Sequence, residues 1–149
     1  TADAHHITAP SPGGSGAVSC MEQALADAGV PASAVGQINA HGTSTPLNDA
    51  AEAEAIAKVF GANGPPVTSI KGVTGHSLGA AGALEAAASV LSIQRGLIPP
   101  TMGTTTVDPE IPGIDVVTGT YRPWTPSALL SNSFGFGGHN GCLVFGPPA

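Results

Sequence analysis

Four side chains of this sequence could act together in a reaction: those of one lysine, two histidines and one glutamate. His41 lies in a polar turn, and His76 lies in a glycine-rich turn that opens with Lys71. Because His76 comes directly before a predicted helix, the positive end of that helix disfavours a charged imidazolium, and this ring should stay neutral and donate one N–H. Glu85 is the only acid of that helix, and a carboxylate there is costly unless it is paired. Lys71 is its expected partner.

Each of these side chains also has a plainer interpretation. Lys71 and Glu85 are fourteen positions apart, and a pair at that spacing is equally compatible with a surface ion pair of little energetic value. His41 alone is compatible with a histidine that only hydrogen-bonds its own turn. The combination with a flexible Gly-Phe-Gly-Gly segment around Phe136 favours a shared site.

Three of the four segments with reactive side chains come directly after a predicted β-strand. In α/β proteins, the loops at strand ends are where sites assemble. The fourth segment is the opening one, residues 3–8. The strands are predicted at Val35–Ala40 ahead of His41, at Val67–Ile70 ahead of Lys71 and His76, and at Leu129–Ser133 ahead of Phe136.

Helices alternate with these strands. Apolar residues recur at helical spacing from Ser15, and a glycine-proline stop at 29–31 ends the pattern. Asn48 is the expected cap of a second helix, with Glu52 in its positive first turn. A third helix, Ser77–Arg95, is apolar almost all round and is expected to lie buried between layers.

The last third of the sequence is predicted as strands. One strand is expected around Ile114–Val117, and Leu129–Ser133 should pair with Gly141–Phe145 as a hairpin. A hairpin is antiparallel, whereas strands joined through a helix are usually parallel. The sequence therefore predicts a layered α/β fold in which a mixed β-sheet packs between helices, with a buried central helix.

Composition narrows the class of protein. The 149 residues suit one domain, residues 1–149, and only 9% of them are charged, against about 25% in a typical domain. Much of the surface should therefore be covered by another domain or subunit. The net charge of −6, with four Lys and Arg, argues against nucleic acid and against an anionic membrane surface. Cys20 and Cys142 have no disulfide or metal spacing, which favours a reduced, cytoplasmic protein.

Over nearly its whole length, the sequence resembles the β-ketoacyl synthases of the thiolase-like superfamily. Three long motifs of that family occur in order. Residues 39–45 read Asn-Ala-His-Gly-Thr-Ser-Thr, residues 71–82 match Lys-x-x-x-Gly-His-Ser-Leu-Gly-Ala-Ala-Gly, and residues 132–138 read Asn-Ser-Phe-Gly-Phe-Gly-Gly. The first motif is similar to that of the fatty-acid-type (type II) 3-oxoacyl-acyl-carrier-protein synthases, whereas modular polyketide synthases usually read Glu-Ala-His-Gly-Thr-Gly-Thr.

The resemblance implies a decarboxylative condensation and gives the side chains roles in it. His41 and His76 would hydrogen-bond the thioester carbonyl of malonyl-carrier protein and stabilise the enolate that forms as carbon dioxide leaves. Lys71, held by Glu85, would orient and polarise this pair. Phe136 would act as a gate between the acyl pocket and the malonyl site, and its backbone N–H would supply part of an oxyanion hole.

Substrates of this family arrive on the 4'-phosphopantetheine arm of acyl carrier protein. The resemblance implies that Thr43 and Thr45 hydrogen-bond this arm and that Thr8 lines the same channel. Apart from the arm itself, no cofactor and no metal is expected.

The resemblance also implies what this sequence lacks. The nucleophile of the family is a cysteine in an amino-terminal half, whereas Cys20 lies in a predicted helix and Cys142 in a predicted strand. Both are interpreted as small buried hydrophobes. The sequence is therefore expected to be a carboxy-terminal half that is inactive alone. Its expected partners are the amino-terminal half, acyl carrier protein, and a second copy in a homodimer.

Three other interpretations are compatible with parts of the sequence. A chain-length-factor-like subunit would share the fold without catalysing condensation. Residues 75–79 fit G-x-S-x-G, the nucleophile elbow of α/β-hydrolases and malonyl transacylases, with Ser77, Asp115 and His139 in the order of a triad. A metal site built from the five histidines has no zinc spacing.

Overall fold

The computed structural model describes residues 1–61 and 63–148. The helices are α1 (Ser15–Ala28), α2 (Pro46–Phe60), α3 (Lys71–Thr74) and α4 (Ala81–Arg95). The strands are β1 (Val35–Asn39), β2 (Val67–Thr68), β3 (Leu97–Ile98), β4 (Arg122–Pro123), β5 (Ala128–Gly135) and β6 (His139–Phe145). The main sheet has the order β2-β1-β5-β6, and β3 pairs with β4 in a small second sheet.

Strand directions in the main sheet are mixed, as predicted. β1 pairs in parallel with β2 and β5, while β5 and β6 form an antiparallel hairpin. On β5, Asn132 contacts Met21 of α1, and the next residue, Ser133, lies beside Gly82 of α4. Because neighbouring residues of a strand point to opposite faces, α1 and α4 pack on opposite sides of the sheet. The predicted α/β class, with a mixed sheet between helices, is confirmed.

α1 forms where the apolar spacing predicts it. Its buried residues Ala17, Cys20, Met21 and Leu25 recur every three or four positions and share one face, which packs into the core. Gly29 ends the helix in the left-handed conformation, with φ of 64°, where glycine meets no steric penalty.

α2 begins earlier than predicted. Its first residue is Pro46, and Thr45 is the extended residue that precedes it. The fixed φ of proline suits the first helical position, where its missing N–H has no intrahelical partner to lose. Asn48 is therefore not the cap, and its amide donates to Asp49 Oδ1 at 3.1 Å instead. Glu52 is buried and lies beyond the first turn, so its predicted place there is wrong.

The outer edge of the main sheet is irregular. β2 ends at Thr68, two residues earlier than predicted. The strand expected around Ile114–Val117 is a single bridge between Val67 and Val116. The Thr68 hydroxyl donates to the carbonyl of Pro99 at 2.6 Å. This bond holds the segment after β3 against β2.

The residues after β2 form one helical turn, α3, which the sequence did not predict. Lys71 is its first residue and the only buried one. The turn packs so closely on the next loop that a Cβ at Gly72 would lie 2.0 Å from the carbonyl oxygen of Met102. This contact fixes the backbone from which the Lys71 side chain starts.

The long apolar helix begins four residues later than predicted. A 3-10 turn at Leu78–Ala80 precedes α4, and Leu78 has φ of 52°, a left-handed conformation through which an α-helix does not continue. α4 is apolar on both sides, but only one side is covered, and Leu84, Val90 and Leu91 are 43%, 41% and 52% exposed. Full burial of this helix stays a prediction for the complete protein. Among the described residues, no helix is long and apolar enough to cross a bilayer.

Candidate active site

The loops that carry the candidate side chains lie at the same end of the sheet, because the three parallel strands that precede them end there. β1 leads into His41, β2 leads into Lys71, and β5 leads into Phe136. Since β1 lies between the other two strands, its loop is the central one. The position of His41 therefore depends on contacts from both neighbours.

A buried carboxylate holds the backbone at His41. Glu52 of α2 accepts the N–H of His41 through Oε1 and the N–H of Gly42 through Oε2, each at 2.9 Å. The amide of Asn132 donates to Oε1 at 3.2 Å. Burial raises the pKa of the Glu52 carboxyl, and the two backbone N–H groups oppose that rise. This positioning role was missed, because an acid near a helix start reads as a surface residue that faces the helix dipole.

Lys71 and Glu85 form an ion pair below His41. The two side chains are 6% and 2% exposed, so the interpretation as a surface pair is wrong. The ammonium also donates to the carbonyl of His41, and Nζ lies 3.4 Å from His41 Nδ1. Lys71 therefore links the carboxylate to the imidazole.

The environment of His41 keeps its ring neutral. Burial, followed by the charges of Lys71 and His76, lowers the pKa of His41 to about 4. An ammonium only donates hydrogen bonds, so the nitrogen that faces it, Nδ1, is the acceptor in the neutral ring. The ring hydrogen is then on Nε2, which is free to donate.

His76 presents the same kind of donor from the next turn. Its ring centroid lies 5.5 Å from that of His41, and the two planes are at 87°. The N–H of Leu78 donates to His76 Nδ1 at 3.2 Å, which places the ring hydrogen of neutral His76 on Nε2. The helix-end argument for neutrality does not apply, because α4 begins only at Ala81. Together, the two histidines offer two Nε2–H donors to one small acceptor.

Phe136 lies in a turn that is held from outside the sheet. Its side chain is 77% exposed, and the next two residues, Gly137 and Gly138, have φ of 78° and 74°, which only glycine adopts readily. The N–H of Gly137 donates to the carbonyl of Ile7 at 2.7 Å, and the N–H of Asp3 donates to Gly138 at 2.8 Å. The opening segment, residues 3–8, therefore holds the turn that carries Phe136.

Asp3 begins the opening segment that the sequence analysis named, but no role was predicted for its side chain. One carboxylate oxygen accepts the N–H of Ser11 at 2.9 Å, and the other accepts the amide of Asn140. Asp3 also occupies the space that a Cβ on Gly16 would need, since that atom would lie 1.6 Å from Asp3 Oδ1. Its partners are far apart in the sequence, and no local pattern identifies them.

The three threonines fall into two groups. The hydroxyls of Thr43 and Thr45 lie 2.9 Å apart at the mouth of the His41 loop. Thr8 lies in the opening segment, where its N–H donates to His6 Nδ1 at 3.1 Å. All three lie in or beside the loops that surround the histidines.

Two side chains of the G-x-S-x-G interpretation, Ser77 and Asp115, do not hydrogen-bond a histidine among the described residues. Ser77 Oγ is buried and hydrogen-bonds none of the described residues, whereas a nucleophilic serine requires a base. Asp115, the proposed acid of that triad, is paired with Arg122.

Burial raises the pKa of the Cys142 thiol to about 12, so its reactive thiolate is scarce at neutral pH. Over residues 1–61 and 63–148, no three His, Cys, Asp or Glu side chains are grouped as metal ligands.

The sequence of this chain is similar to that of a known protein family. Residues 1–105 match the family model described as "Beta-ketoacyl synthase, C-terminal domain". The chain is 48% identical over 147 residues to 3-oxoacyl-[acyl-carrier-protein] synthase 2 of Synechocystis sp., a match that covers 97% of this chain and 35% of that protein. The enzyme of the same name from Staphylococcus aureus is 47% identical, with 97% and 36% covered. The chain thus spans about a third of the length of these relatives.

Solved structures share the fold closely. A β-ketoacyl synthase from Burkholderia phymatum superposes with a TM-score of 0.95 at 39% identity, covering 100% of this chain and 36% of that one. The ishigamide ketosynthase/chain length factor gives 0.95 at 38% identity, with 100% and 36% covered. A type II polyketide acyl-carrier protein in complex with its hexaketide-bound ketosynthase gives 0.93 at 34% identity, with 99% and 36% covered.

Proposed function

Since the chain belongs to the β-ketoacyl synthase family, as its carboxy-terminal domain, we propose that it holds the malonyl-decarboxylating half of a condensing enzyme. The proposed reaction is the decarboxylative Claisen condensation of an acyl-enzyme thioester with malonyl-acyl carrier protein, in fatty-acid or type II polyketide chain elongation. One observation supports it above the others. The rings of His41 and His76 lie side by side, and the Nδ1 contacts of both leave Nε2–H as the donor beside a buried ammonium.

In this reaction the malonyl thioester loses its carboxylate as carbon dioxide. The electron pair of the broken C–C bond passes into the thioester, which becomes an enolate. The Nε2–H groups of His41 and His76 donate to the enolate oxygen, where the negative charge develops. The enolate carbon then attacks the acyl carbonyl on the cysteine, forms the new C–C bond and releases the cysteine as a thiolate.

Lys71 and Glu85 would set the charge around this centre. The ammonium faces His41 Nδ1, so it keeps the acceptor nitrogen of that ring occupied and the donor nitrogen turned to substrate. Its positive charge also favours the enolate over the neutral thioester. Glu85 holds the ammonium at this point and balances its charge before substrate arrives.

The gate and the substrate channel would be formed by the loops around the histidines. The Phe136 side chain would swing between the acyl pocket and the malonyl site, in a turn whose glycines adopt backbone conformations that other residues rarely reach. Its backbone N–H would contribute to the oxyanion hole for the attacked acyl carbonyl. The hydroxyls of Thr43 and Thr45 would hydrogen-bond the pantetheine arm, and Thr8 would line the same channel.

The partners follow from what this portion of the synthase does not carry. The nucleophilic cysteine would come from an amino-terminal portion that packs on the uncovered side of α4, so the chain alone should not condense. Acyl carrier protein would deliver both thioesters, which is supported by the related ketosynthase solved with its acyl-carrier protein. The complete synthase is proposed to form a homodimer.

A related subunit without catalysis is the second candidate. One structural neighbour is described as a ketosynthase/chain length factor, so the fold alone is compatible with a chain-length-factor-like role. The intact set of His41, Lys71 and His76 favours the catalytic role, since a subunit that does not decarboxylate has no need for two polarised donors.

The test separates decarboxylation from acyl transfer in the complete synthase. His76→Ala should abolish decarboxylation of malonyl-acyl carrier protein, because one enolate donor is lost, a step worth about 10²–10³-fold. It should still allow the cysteine to be acylated. Ser77→Ala is the matched control from the adjacent position, and both activities should survive it. A His76→Ala enzyme that decarboxylates normally would contradict the proposal, and a Ser77→Ala enzyme that loses acyl transfer would favour the hydrolase-like alternative.

A further inference from the structure

Two phenylalanines separated by one glycine lie at the end of β5, and they differ in environment. Phe136 is 77% exposed in the glycine-rich turn. Phe134 is half-buried, pairs with Asn140 in the β5–β6 ladder and packs against the hydrophobic core. The backbone of Phe134 is therefore held by the sheet, while that of Phe136 is not. None of the roles assigned above uses Phe134.

The ring of Phe134 contacts the imidazole of His41. Their centroids lie 6.0 Å apart with the planes at 61°, in the edge-to-face range for aromatic pairs. His76 approaches the same imidazole at 5.5 Å, and Lys71 Nζ lies beside Nδ1. Phe134 is the only one of these three neighbours that is apolar, so it is the one that keeps water from the ring without offering it a hydrogen bond.

We propose that Phe134 is a positioning residue for His41, which holds the imidazole so that Nδ1 faces Lys71 and Nε2–H faces the thioester oxygen. This inference rests on the proposed function and deepens it. Edge-to-face contact fixes the plane of the imidazole, and the rigid strand behind Phe134 fixes the contact. Motion of Phe136, two residues further on, can then open and close the site without disturbing the donor.

Loss of this contact should change the pH dependence of decarboxylation on the acid side of its profile, which is called the acid limb below. Burial is the main reason that the pKa of His41 is lowered to about 4, and the neutral form is the one whose Nδ1 can accept from Lys71. The charged and titratable groups around the ring are Lys71 of α3, His76 of the following turn, Glu52 of α2 at its backbone, and Glu85 of α4 behind Lys71. A smaller residue at 134 changes none of these groups but admits water. The pKa of His41 should then rise, and activity should be lost at a higher pH.

The experiment measures malonyl decarboxylation against pH in the complete synthase. Phe134→Ala should lower kcat about tenfold with little change in KM, as expected for a misplaced catalytic group, and should move the acid limb up by about one pH unit. Phe134→Leu keeps most of the apolar volume, so it should fold and shift the limb by about half as much. Phe145→Leu at the other end of the hairpin is the matched control and should leave the limb in place.

A crystal structure of Phe134→Leu gives a readout that does not depend on activity. We expect the His41 ring to be rotated, or its Nδ1 moved away from Lys71 Nζ. An unshifted acid limb in both Phe134 variants would overturn the inference, and the Leu variant alone decides if the Ala variant does not fold. His41→Ala separates the two proposals: if it decarboxylates normally, the proposed function fails, whereas if it is inactive and the Phe134 variants behave as wild type, only the positioning role fails.

Discussion

Lys71 and Glu85 place two opposite charges where almost no water reaches them. A buried ion pair of this kind contributes little net stability, because removing two charges from water costs about as much as their attraction returns. Removal of one partner is different, since the remaining charge stays buried and unpaired. The pair is therefore better explained by the ammonium that it supplies to His41 than by the stability of the fold.

Two variants separate these contributions in the complete synthase. Glu85→Ala should lower the free energy of unfolding by about 3–5 kcal/mol, measured by chemical denaturation. The double variant Lys71→Met with Glu85→Met should recover most of that loss and still fail to decarboxylate. Glu54→Ala breaks the exposed pair with Lys58, whose side chains are 45% and 49% exposed, and should cost less than about 1 kcal/mol. A double variant as unstable as Glu85→Ala would show that the pair stabilises the fold itself.

At the residue level, sequence motifs identified side chains that the structure brings together, but not the residues that contact and hold them. The motifs indicated a chemical role for His41, Lys71 and His76, and the structure brings these side chains together. Glu52 and Phe134 contact His41, which lies 11 and 93 positions away from them, and no local sequence pattern indicates either contact. Glu52 follows an ordinary amphipathic pattern, and Phe134 reads as one more apolar residue of a strand.

At the level of elements, the spacing of apolar residues predicted the helices and strands that hydrophobic burial determines. It failed for elements whose position depends on a single contact. α1 and the β5–β6 hairpin carry repeated apolar residues over ten or more positions, so many contacts specify them. α3 is four residues long and exists because one turn packs on the loop at Met102. The start of α4 depends on the left-handed backbone at Leu78, which no pattern of apolar residues reports.

The close contact under α3 can be tested with one added methyl group. Gly72→Ala would place a Cβ 2.0 Å from the carbonyl oxygen of Met102, so the turn must move and carry Lys71 with it. We expect a loss of about 1–3 kcal/mol in unfolding free energy, as for other overpacked sites, and at least about a tenfold fall in decarboxylation. Gly113→Ala is the control, because a Cβ there meets nothing within 4 Å. Normal activity in Gly72→Ala would mean that Lys71 tolerates displacement.

On the scale of the whole molecule, the uncovered side of α4 is an apolar surface that an isolated domain would normally bury. Leu84 and Leu91 lie two helical turns apart on this side, with Val90 beside them, and all three are more than 40% exposed. Only 9% of the residues are charged, so little repulsion opposes contact between two such surfaces. Under the proposed function, the amino-terminal portion of the synthase covers this face.

The chain by itself should therefore self-associate. Sedimentation velocity should show oligomers or aggregates of the 149-residue chain, because its apolar helix face finds another copy. Leu84→Glu with Leu91→Glu should shift the chain towards monomer and, in the complete synthase, prevent correct folding. Gln23→Glu on the exposed side of α1 adds charge without touching the face and should change neither result. A chain that stays monomeric at high concentration without binding a hydrophobic dye would contradict this account.

The hydrogen bonds between the first residues and the turn after β5 carry a consequence for the order of folding. Thr1 and Asn140 exchange backbone bonds at 2.9 and 3.0 Å across a separation of 139 positions, and Ile7 holds Gly137 in the same way. Contacts between such distant positions form late, since the intervening chain must first be organised. During synthesis the opening segment leaves the ribosome long before its partner strand exists. The first residues and the turn after β5 should thus be the last part of this region to gain protection from hydrogen exchange, after the core between α1 and β1 has formed.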